Sequence, residues 1–322
     1  MSSSTCKITY PVCEADWLDH LSRVGSYSFF QTPLWCRALC AFDSRYRDST
    51  VLLEFDGEQV LFPCIAVRRR FGLETLESMP WGTYGGLIAS RTLRADEEKQ
   101  CLEAILSIRC PQLLVVSWPG TELSCKSSRV QHQETHRLDL REGFDSIWNH
   151  RYASRHRTKI RKAKRNGLEV AIDNSADGIA RYKRLYEASM RRWEGDLAFD
   201  PAFLDQWIDA PEKHVSFWFC GRSDEAMAAA IVFYSPTEAH YWSGASDLQY
   251  SKRNPSNLLL SRTIEDAIRR GCRTYNFASS AGLPGVIQFK KQFGPDPVPY
   301  YRYVFTQWAW RPLEWIRRGI RR

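Results

Sequence analysis

The chain has 322 residues, 43% of them hydrophobic, and carries a formal net charge of +8 with a sequence pI near 9.0. That length accommodates two domains of ordinary size, and that apolar content excludes global disorder. The positive balance favours an anionic partner (RNA, a nucleotide cofactor or an anionic membrane surface) without choosing among them.

Ten cysteines occur with no CxxC pair, so the spacing of a zinc site is absent and no metal is expected. Residues 1–10 lack the apolar segment of a signal peptide, and no apolar run approaches the ~20 residues of a membrane span. Reduced thiols in a cytoplasmic protein are the expectation. Aromatic residues make up 13% of the chain, which fits either dense core packing or an aromatic-walled groove.

In chain order, Asp16 to Val24 and Thr32 to Phe42 read as helices, the second opened by Thr32 as N-cap and Pro33 at the first turn. Thr50 to Phe55 and Gln59 to Val67 read as strands of a hairpin around Asp56-Gly57. Leu73 to Met79 is a third strand. The stretch Pro80 to Gly86 is a glycine-rich loop bearing Trp81 and Tyr84, either a turn with packed rings or the rim of an acceptor pocket. Ala95 to Ile108 is a helix, Leu113 to Ser117 a short buried strand, Glu122 to Gln133 a polar loop and Thr135 to Leu140 a strand. These elements form one mixed α/β unit over residues 1–140.

Gly143 to Asn166 reads as one helix with Tyr152, His156, Ile160 and Ala163 on a narrow buried stripe, ended by Gly167. Arg151, Arg155, Arg157, Lys159, Arg161, Lys162, Lys164 and Arg165 crowd it with no acid between them. The run is either an ordinary solvated face or, since nothing local offsets its mutual repulsion, the seat of an anion, a tRNA backbone or a cofactor phosphate, with Arg151, Arg155, Lys159 and Lys162 as contacts. Leu168 to Ile172 is a strand, and Ala176 to Arg192 and Pro201 to Asp209 are helices. His214 to Cys220, Ala226 to Tyr234 and Glu238 to Ser243 form an antiparallel meander.

After the meander comes a polar loop ending Asn254-Pro255-Ser256-Asn257. A helix through Leu258, Leu259, Leu260, Ile264, Ala267 and Ile268 follows, with Ser256 as N-cap and Gly271 beyond its end. Glu265 with Arg269, and Asp266 with Arg270, make i,i+4 pairs on its outer face. A strand leading through a turn into a helix N-terminus offers N–H groups and a positive dipole end to a phosphate or carboxylate. Thr274 to Phe277 is a short strand. In the tail, residues 307–322, Leu313, Ile316 and Ile320 oppose Arg317, Arg318, Arg321 and Arg322, an amphipathic helix that either docks on the body or lies on a membrane surface.

The order Asn-Pro-Ser-Asn-Leu-Leu-Leu (254–260), Gly-Cys-Arg-Thr-Tyr-Asn-Phe (271–277) and Phe-Lys-Lys-Gln-Phe-Gly (289–294) resembles the GNAT-like acyltransferases. The resemblance is strongest to the branch of the FemA/FemB/FemX aminoacyltransferases and the FemAB-related envelope and exopolysaccharide enzymes. It covers the stretch from about Phe144 to Phe305 well. The resemblance implies two tandem GNAT-like domains with mixed α+β sheets, at 1–140 and 141–306, the second the better match, plus the tail. Two departures stand out. Asn276 replaces the Asp usual before the aromatic residue of the second strand. The loop Ser251 to Ser256 also lacks the glycines of the usual pyrophosphate loop.

The implied activity is transfer of an acyl or aminoacyl group to an amine by direct attack, because no Ser-His-Asp set or Cys nucleophile motif is present. The donor is acyl-CoA or aminoacyl-tRNA as co-substrate, with no tightly bound cofactor, and the acceptor is an amine-bearing small molecule or envelope precursor. Lys290 matches the lysine near the donor ester, with Lys291 beside it at the donor. Glu194, Asp247 and His240 are the proton-acceptor candidates. Tyr241, Ser243 and Gly244 offer a strand edge to the donor, Ser256 and Asn257 sit at its phosphates, and Trp81, Tyr84 and Trp193 line the acceptor pocket. The competing reading is a non-catalytic RNA- or membrane-surface-binding protein on a degenerate GNAT-like fold, supported by the basic helix, the basic tail and Asn276. Peripheral contact with the inner membrane face would go through the tail.

Overall fold

A computed structural model describes residues 6–306, apart from 56, 70, 71, 82, 109, 110, 125, 126, 193–198, 223, 224, 281 and 282. The tail at 307–322, with Trp193 and Glu194, therefore lies outside the described residues. The chain divides into two compact units, Met1–Gln133 with the chain from Pro299 onward, and Glu134–Val298. This division sets residues 134–140 with the second unit and 299–306 with the first.

The first unit opens with β1 (Lys7–Thr9), α1 (Glu14–Val24) and α2 (Pro33–Phe42). Thr32 caps α2 as its composition predicts, its hydroxyl accepting from the Trp35 N–H. β2 (Tyr46–Asp48), β3 (Val51–Phe55), β4 (Glu58–Phe62), β5 (Ile65–Arg68), β6 (Glu74–Ser78), β7 (Ile88–Ala89), α3 (Ala95–Ser107) and β8 (Gln112–Val116) follow. The expected hairpin forms between β3 and β4, with Phe55 opposite Glu58 and Gly57 at φ +77°. The single strand expected over Gln59 to Val67 is two strands that join different sheets. Pro63 has no N–H for a ladder, and the chain leaves the sheet there. The Pro63 carbonyl accepts from the Ser78 hydroxyl, while the Cys64 carbonyl accepts from the Ser49 N–H. One sheet runs β1-β3-β4-β7, and β8, β6, β5 and β2 are neighbours in the other, with β6 and β8 parallel. Val51, Leu53, Phe62, Leu102, Ile105, Leu113 and Val115 form the core of this unit.

The second unit begins within β9 (Arg129–Asp139), which starts inside the stretch expected to be loop. The basic segment is not one helix. A short α4 (Gly143–Ser146) passes into a π-helical turn, Ile147–Arg151; the chain then extends at Tyr152, and α5 (Ser154–Arg165) begins. The break is held from outside, because the Ala153 N–H donates to the Gln292 carbonyl. β10 (Glu169–Ile172) and α6 (Ala176–Arg192) come next. Pro201–Trp207 is a 3₁₀ helix rather than the expected α-helix. β11 (Val215–Arg222), β12 (Glu225–Tyr234) and β13 (Glu238–Ser246) form the antiparallel meander. α7 (Pro255–Arg269), β14 (Thr274–Asn276) and α8 (Pro284–Lys291) complete the unit, and β15 (Asp296–Thr306) carries the chain back to the first unit, where it pairs with β8. The strand order is β10-β11-β12-β13-β14-β9.

Two local expectations for α7 are corrected. Its N-cap is Asn254, not Ser256. Asn254 sits at φ +61°, a left-handed conformation Asn tolerates, and Pro255 takes the first helical position. Glu265 pairs with Arg262 at 2.6 Å instead of Arg269, while Arg269 and Arg270 both reach the buried Asp266. α5 and α7 cover one face of the sheet, with Ile160, Ala163, Leu258, Leu259, Ile264, Val232, Tyr275 and Phe293 in the core between.

Two glycines test this packing. Gly294 (φ +74°) has no room for a Cβ beside the Arg151 backbone, whereas Gly271 (φ +83°) faces open space. Gly294→Ala is expected to cost more than the ~1–3 kcal/mol of a strained backbone position, and Gly271→Ala no more than that, as measured by urea unfolding.

Candidate active site

β13 and β14 run parallel, yet they pair only at Glu238 with Thr274, Ala239 with Tyr275 and His240 with Asn276. Beyond that register β13 continues to Ser246 against β12 alone, while β14 ends at Asn276 and Ala278 takes a left-handed φ of +55°. The sheet therefore opens into a splay whose one edge is Tyr241 to Ser246. β13 also carries a bulge: Val232 pairs with Tyr241 and Ile231 with Ser243, leaving Trp242 as the extra residue. Tyr241 then packs with the α7-side core, and Trp242 stacks on Phe199 at 4.3 Å on the α6 side.

At the closed end of the splay lies a row of polar side chains. His240, Asn276 and Arg137 occupy adjacent register positions on β13, β14 and β9. Glu238 is buried and is held by Arg137 at 2.8 Å, with the Asn276 Nδ2 3.4 Å from its Oε1. His240 Nδ1 lies 3.8 Å from the same carboxylate, and burial pushes its pKa below the usual histidine range. His136, also buried, lies 3.8 Å from Glu134 and is lowered for the same reason.

Lys290 reaches this place from the last turn of α8 and is only 3% exposed. Its ammonium donates to the carbonyls of Ala278 and Ser279, each at 3.0 Å, and stands 6.0 Å from the centre of the Tyr241 ring. No carboxylate pairs with it among the described residues. Burial lowers its pKa to about 7, since the charged form is stripped of water without a counter-ion. The neighbouring Lys291 is exposed.

The other sequence candidates are spread more widely. The Ser243 Oγ accepts from the Tyr182 hydroxyl at 2.8 Å. Gly244 packs so closely on the Tyr241 hydroxyl that a Cβ would overlap it. Ser256 is half-buried at the second position of α7, and Asn257 is buried against His156 Nδ1 at 2.8 Å. Asp247 caps the 3₁₀ turn Leu248–Arg253 by accepting from the Gln249 N–H. Arg151 is engaged with the Gly294 carbonyl and with Asp296 at 2.6 Å, so one cation of the acid-free segment is paired by an acid from β15. Arg155 and Lys162 are exposed and Lys159 half-buried on α5. Trp81 and Tyr84 belong to the first unit. Trp81 packs edge-on against Trp35, Phe42 and Tyr46; Tyr84 is buried against Trp118 and Tyr300.

The structure thus brings Lys290 and Tyr241 together with three residues that sequence reasoning passed over as site members: Glu238, Arg137 and the acceptor-rich turn at Ala278. Period-two alternation on β13 and β9 could have shown the polar side chains. The register that lines them up could not be read, because β9 precedes β14 by more than a hundred residues.

A lysine lowered to about 7 in the folded state and ordinary when unfolded binds fewer protons native than unfolded between about pH 7 and 10. Its burial therefore opposes folding most below pH 7 and progressively less as pH rises through that window. Relative to Lys290→Met, the wild type is expected to gain more than about 1 kcal/mol of stability from pH 6.5 to 9.5, measured by denaturant unfolding of both proteins.

Comparison with known proteins bears on the domain and the fold. Residues 150–291 match the family model described as an acetyltransferase (GNAT) domain. No curated protein matches in sequence. Among solved structures the fold is shared with FemX at TM-score 0.73, with 12% identity over 96% of this chain and 99% of that one. A tandem GNAT protein from the clavulanic acid biosynthesis pathway aligns at TM-score 0.56, with 11% identity over 94% of this chain and 98% of that one. The N-myristoyltransferase of Saccharomyces cerevisiae, solved with bound myristoyl-CoA, aligns at 0.51, with 12% identity over 95% of this chain and 80% of that one. At such identities the likeness is one of fold. Among the described residues no helix is long and apolar enough to cross a membrane. Residues 150–291 thus carry a match to a GNAT acetyltransferase domain within the second unit, and the chain as a whole shares the mixed α/β fold of FemX and of a tandem GNAT protein.

Proposed function

We propose that the second unit transfers an acyl or aminoacyl group from an activated donor to an amine, with the donor carbonyl held in the splay between β13 and β14. The supporting observation is Lys290: a buried ammonium, clamped by two carbonyls and with no carboxylate partner among the described residues, beside the Tyr241 edge where the sheet opens.

The edge from Tyr241 to Gly244 receives the donor arm by backbone hydrogen bonds, as an added strand would bind. The amine nitrogen attacks the carbonyl carbon and a C–N bond forms. The C–S bond of a thioester, or the C–O bond of an aminoacyl ester, then breaks, and the nitrogen gives up one proton. Negative charge collects on the carbonyl oxygen on the way, and the Lys290 ammonium stabilises it in a site with little water. Glu194, Asp247 and His240 remain the candidates to take the proton. His240 is buried beside Glu238, and burial favours its neutral, proton-accepting form.

The donor's carrier is a polyanion, either CoA or tRNA. Exposed Arg155 and Lys162, with Lys159 between them, give α5 a cationic surface next to α7, which suits either carrier. Ser256, Asn257 and Lys291 would border its phosphates. Trp81, Tyr84 and Trp193 are proposed for the acceptor, an amine-bearing small molecule or envelope precursor.

Lys290→Met is expected to lower kcat about 10²–10³-fold with a smaller change in KM, in steady-state assays with the true substrate pair. Because the ammonium is the working form, the wild-type rate is expected to decline on the alkaline side with a midpoint near 7. Full turnover by the variant would remove Lys290 from the mechanism. Presenting radiolabelled aminoacyl-tRNA and a panel of acyl-CoAs to one amine panel separates the carriers. With tRNA, Arg155→Glu/Lys162→Glu weakens binding and flattens its salt dependence; with CoA, the same pair changes KM only modestly.

A further inference from the structure

The turn that holds Lys290 is itself held by a side chain. Ala278 adopts φ +55°, a left-handed conformation costly for a residue with a Cβ. Its N–H donates to the Asn276 Oδ1 at 2.9 Å, and that oxygen also accepts from the Thr135 hydroxyl at 2.8 Å. Asn276 is fully buried at 0% exposure. The carbonyl of the same Ala278 and that of Ser279 are the two acceptors of the Lys290 ammonium. The other end of the Asn276 amide, Nδ2, lies 3.4 Å from Glu238 Oε1.

The identity of the residue matters electrostatically. An aspartate has no N–H to offer Glu238, so it would set a second carboxylate against the first in a dry place where Arg137 is the pairing cation. It would also put a negative charge one short turn from Lys290. Of the titratable and charged groups around Lys290, His240 and Tyr241 on β13 and His136 on β9 interact with it directly; Glu238 and Arg137 lie beyond His240, Glu134 beyond His136, Lys291 follows on its own helix, and His156 of α5 packs against Phe289 and Phe293. Glu238 and Glu134 are the carboxylates of that set, and Glu238 is already committed to Arg137.

We infer that Asn276 is a positioning residue for Lys290: its amide oxygen locks the left-handed turn whose carbonyls grip the ammonium, and its uncharged amide keeps a second carboxylate away from that ammonium. Lys290 thereby stays in place with its charge left unneutralised by a carboxylate at that turn. The inference rests on the reading of Lys290 as the group beside the reacting carbonyl, but it is tested without any substrate.

The experiment follows the ¹³Cε resonance of Lys290 against pH, assigned by its loss in Lys290→Met, together with hydrogen exchange of the Ala278 amide. Both are measured in the wild type, Asn276→Asp and Asn276→Ala. Aspartate preserves the acceptor for Ala278, so its amide stays protected, while the Lys290 midpoint rises by about one pH unit or more. Alanine removes the acceptor, so protection at Ala278 falls at least tenfold. A Lys290 midpoint unmoved by Asn276→Asp would overturn the electrostatic role, and undiminished Ala278 protection in Asn276→Ala would overturn the positioning role. If Asn276→Ala does not fold, Asn276→Asp alone still decides both, because loss of Ala278 protection in a folded aspartate variant would also overturn the inference. In turnover assays Asn276→Asp is expected to move the alkaline limb of kcat upward by the same interval. A moved Lys290 midpoint with an unmoved limb would leave the Asn276 inference standing and remove Lys290 from the reaction.

Discussion

Everything at the site depends on where two parallel strands stop pairing. Three register pairs hold β13 to β14, and the fourth does not form because the chain leaves β14 at Asn276 for the left-handed turn at Ala278. A sheet interrupted in its middle has unsatisfied edges in its interior, which is costly unless something fills them. The amide of Asn276, the ammonium of Lys290 and the bulge at Trp242 each handle part of that interruption. The remaining edge, Tyr241 onward, is the part available to a ligand.

The same interruption explains why Lys290 is buried with no carboxylate partner among the described residues. Its two acceptors are carbonyls that would belong to a ladder if β14 continued. They satisfy hydrogen bonds without neutralising charge, so the desolvation cost remains and appears as a lowered pKa. A carboxylate partner would have removed that cost and also neutralised the ammonium's charge. The buried acid of the row, Glu238, is occupied by Arg137, and Asn276 joins it to the turn.

The cationic segment before α7 shows how tertiary contacts redistribute an apparent charge run. Arg151 is drawn to Asp296 and the Gly294 carbonyl, Arg157 to the carbonyls of Trp148 and Asn149, and Arg161 lies over the Trp148 ring. Several of the charges therefore secure the break between the π turn and α5, and those at Arg155 and Lys162 remain outward. The segment is half scaffold and half surface.

What the sequence determined by itself was local and periodic. Thr32-Pro33 set the start of α2, Asp56-Gly57 set a hairpin, and the spacing of Leu260, Ile264 and Ala267 set the buried face of α7. Those features depend on residues within a few positions of one another, where side-chain sterics and capping dominate. Phe-Lys-Lys-Gln-Phe-Gly marked Lys290 through resemblance alone. Only the tertiary structure decided that β4 and β5 part at Pro63, that Asn254 rather than Ser256 caps α7, and that Arg137 meets Glu238 while Asn276 meets Ala278. Pairings of that kind join strands far apart in the chain, and their register follows from how whole faces pack, which no short window of residues contains.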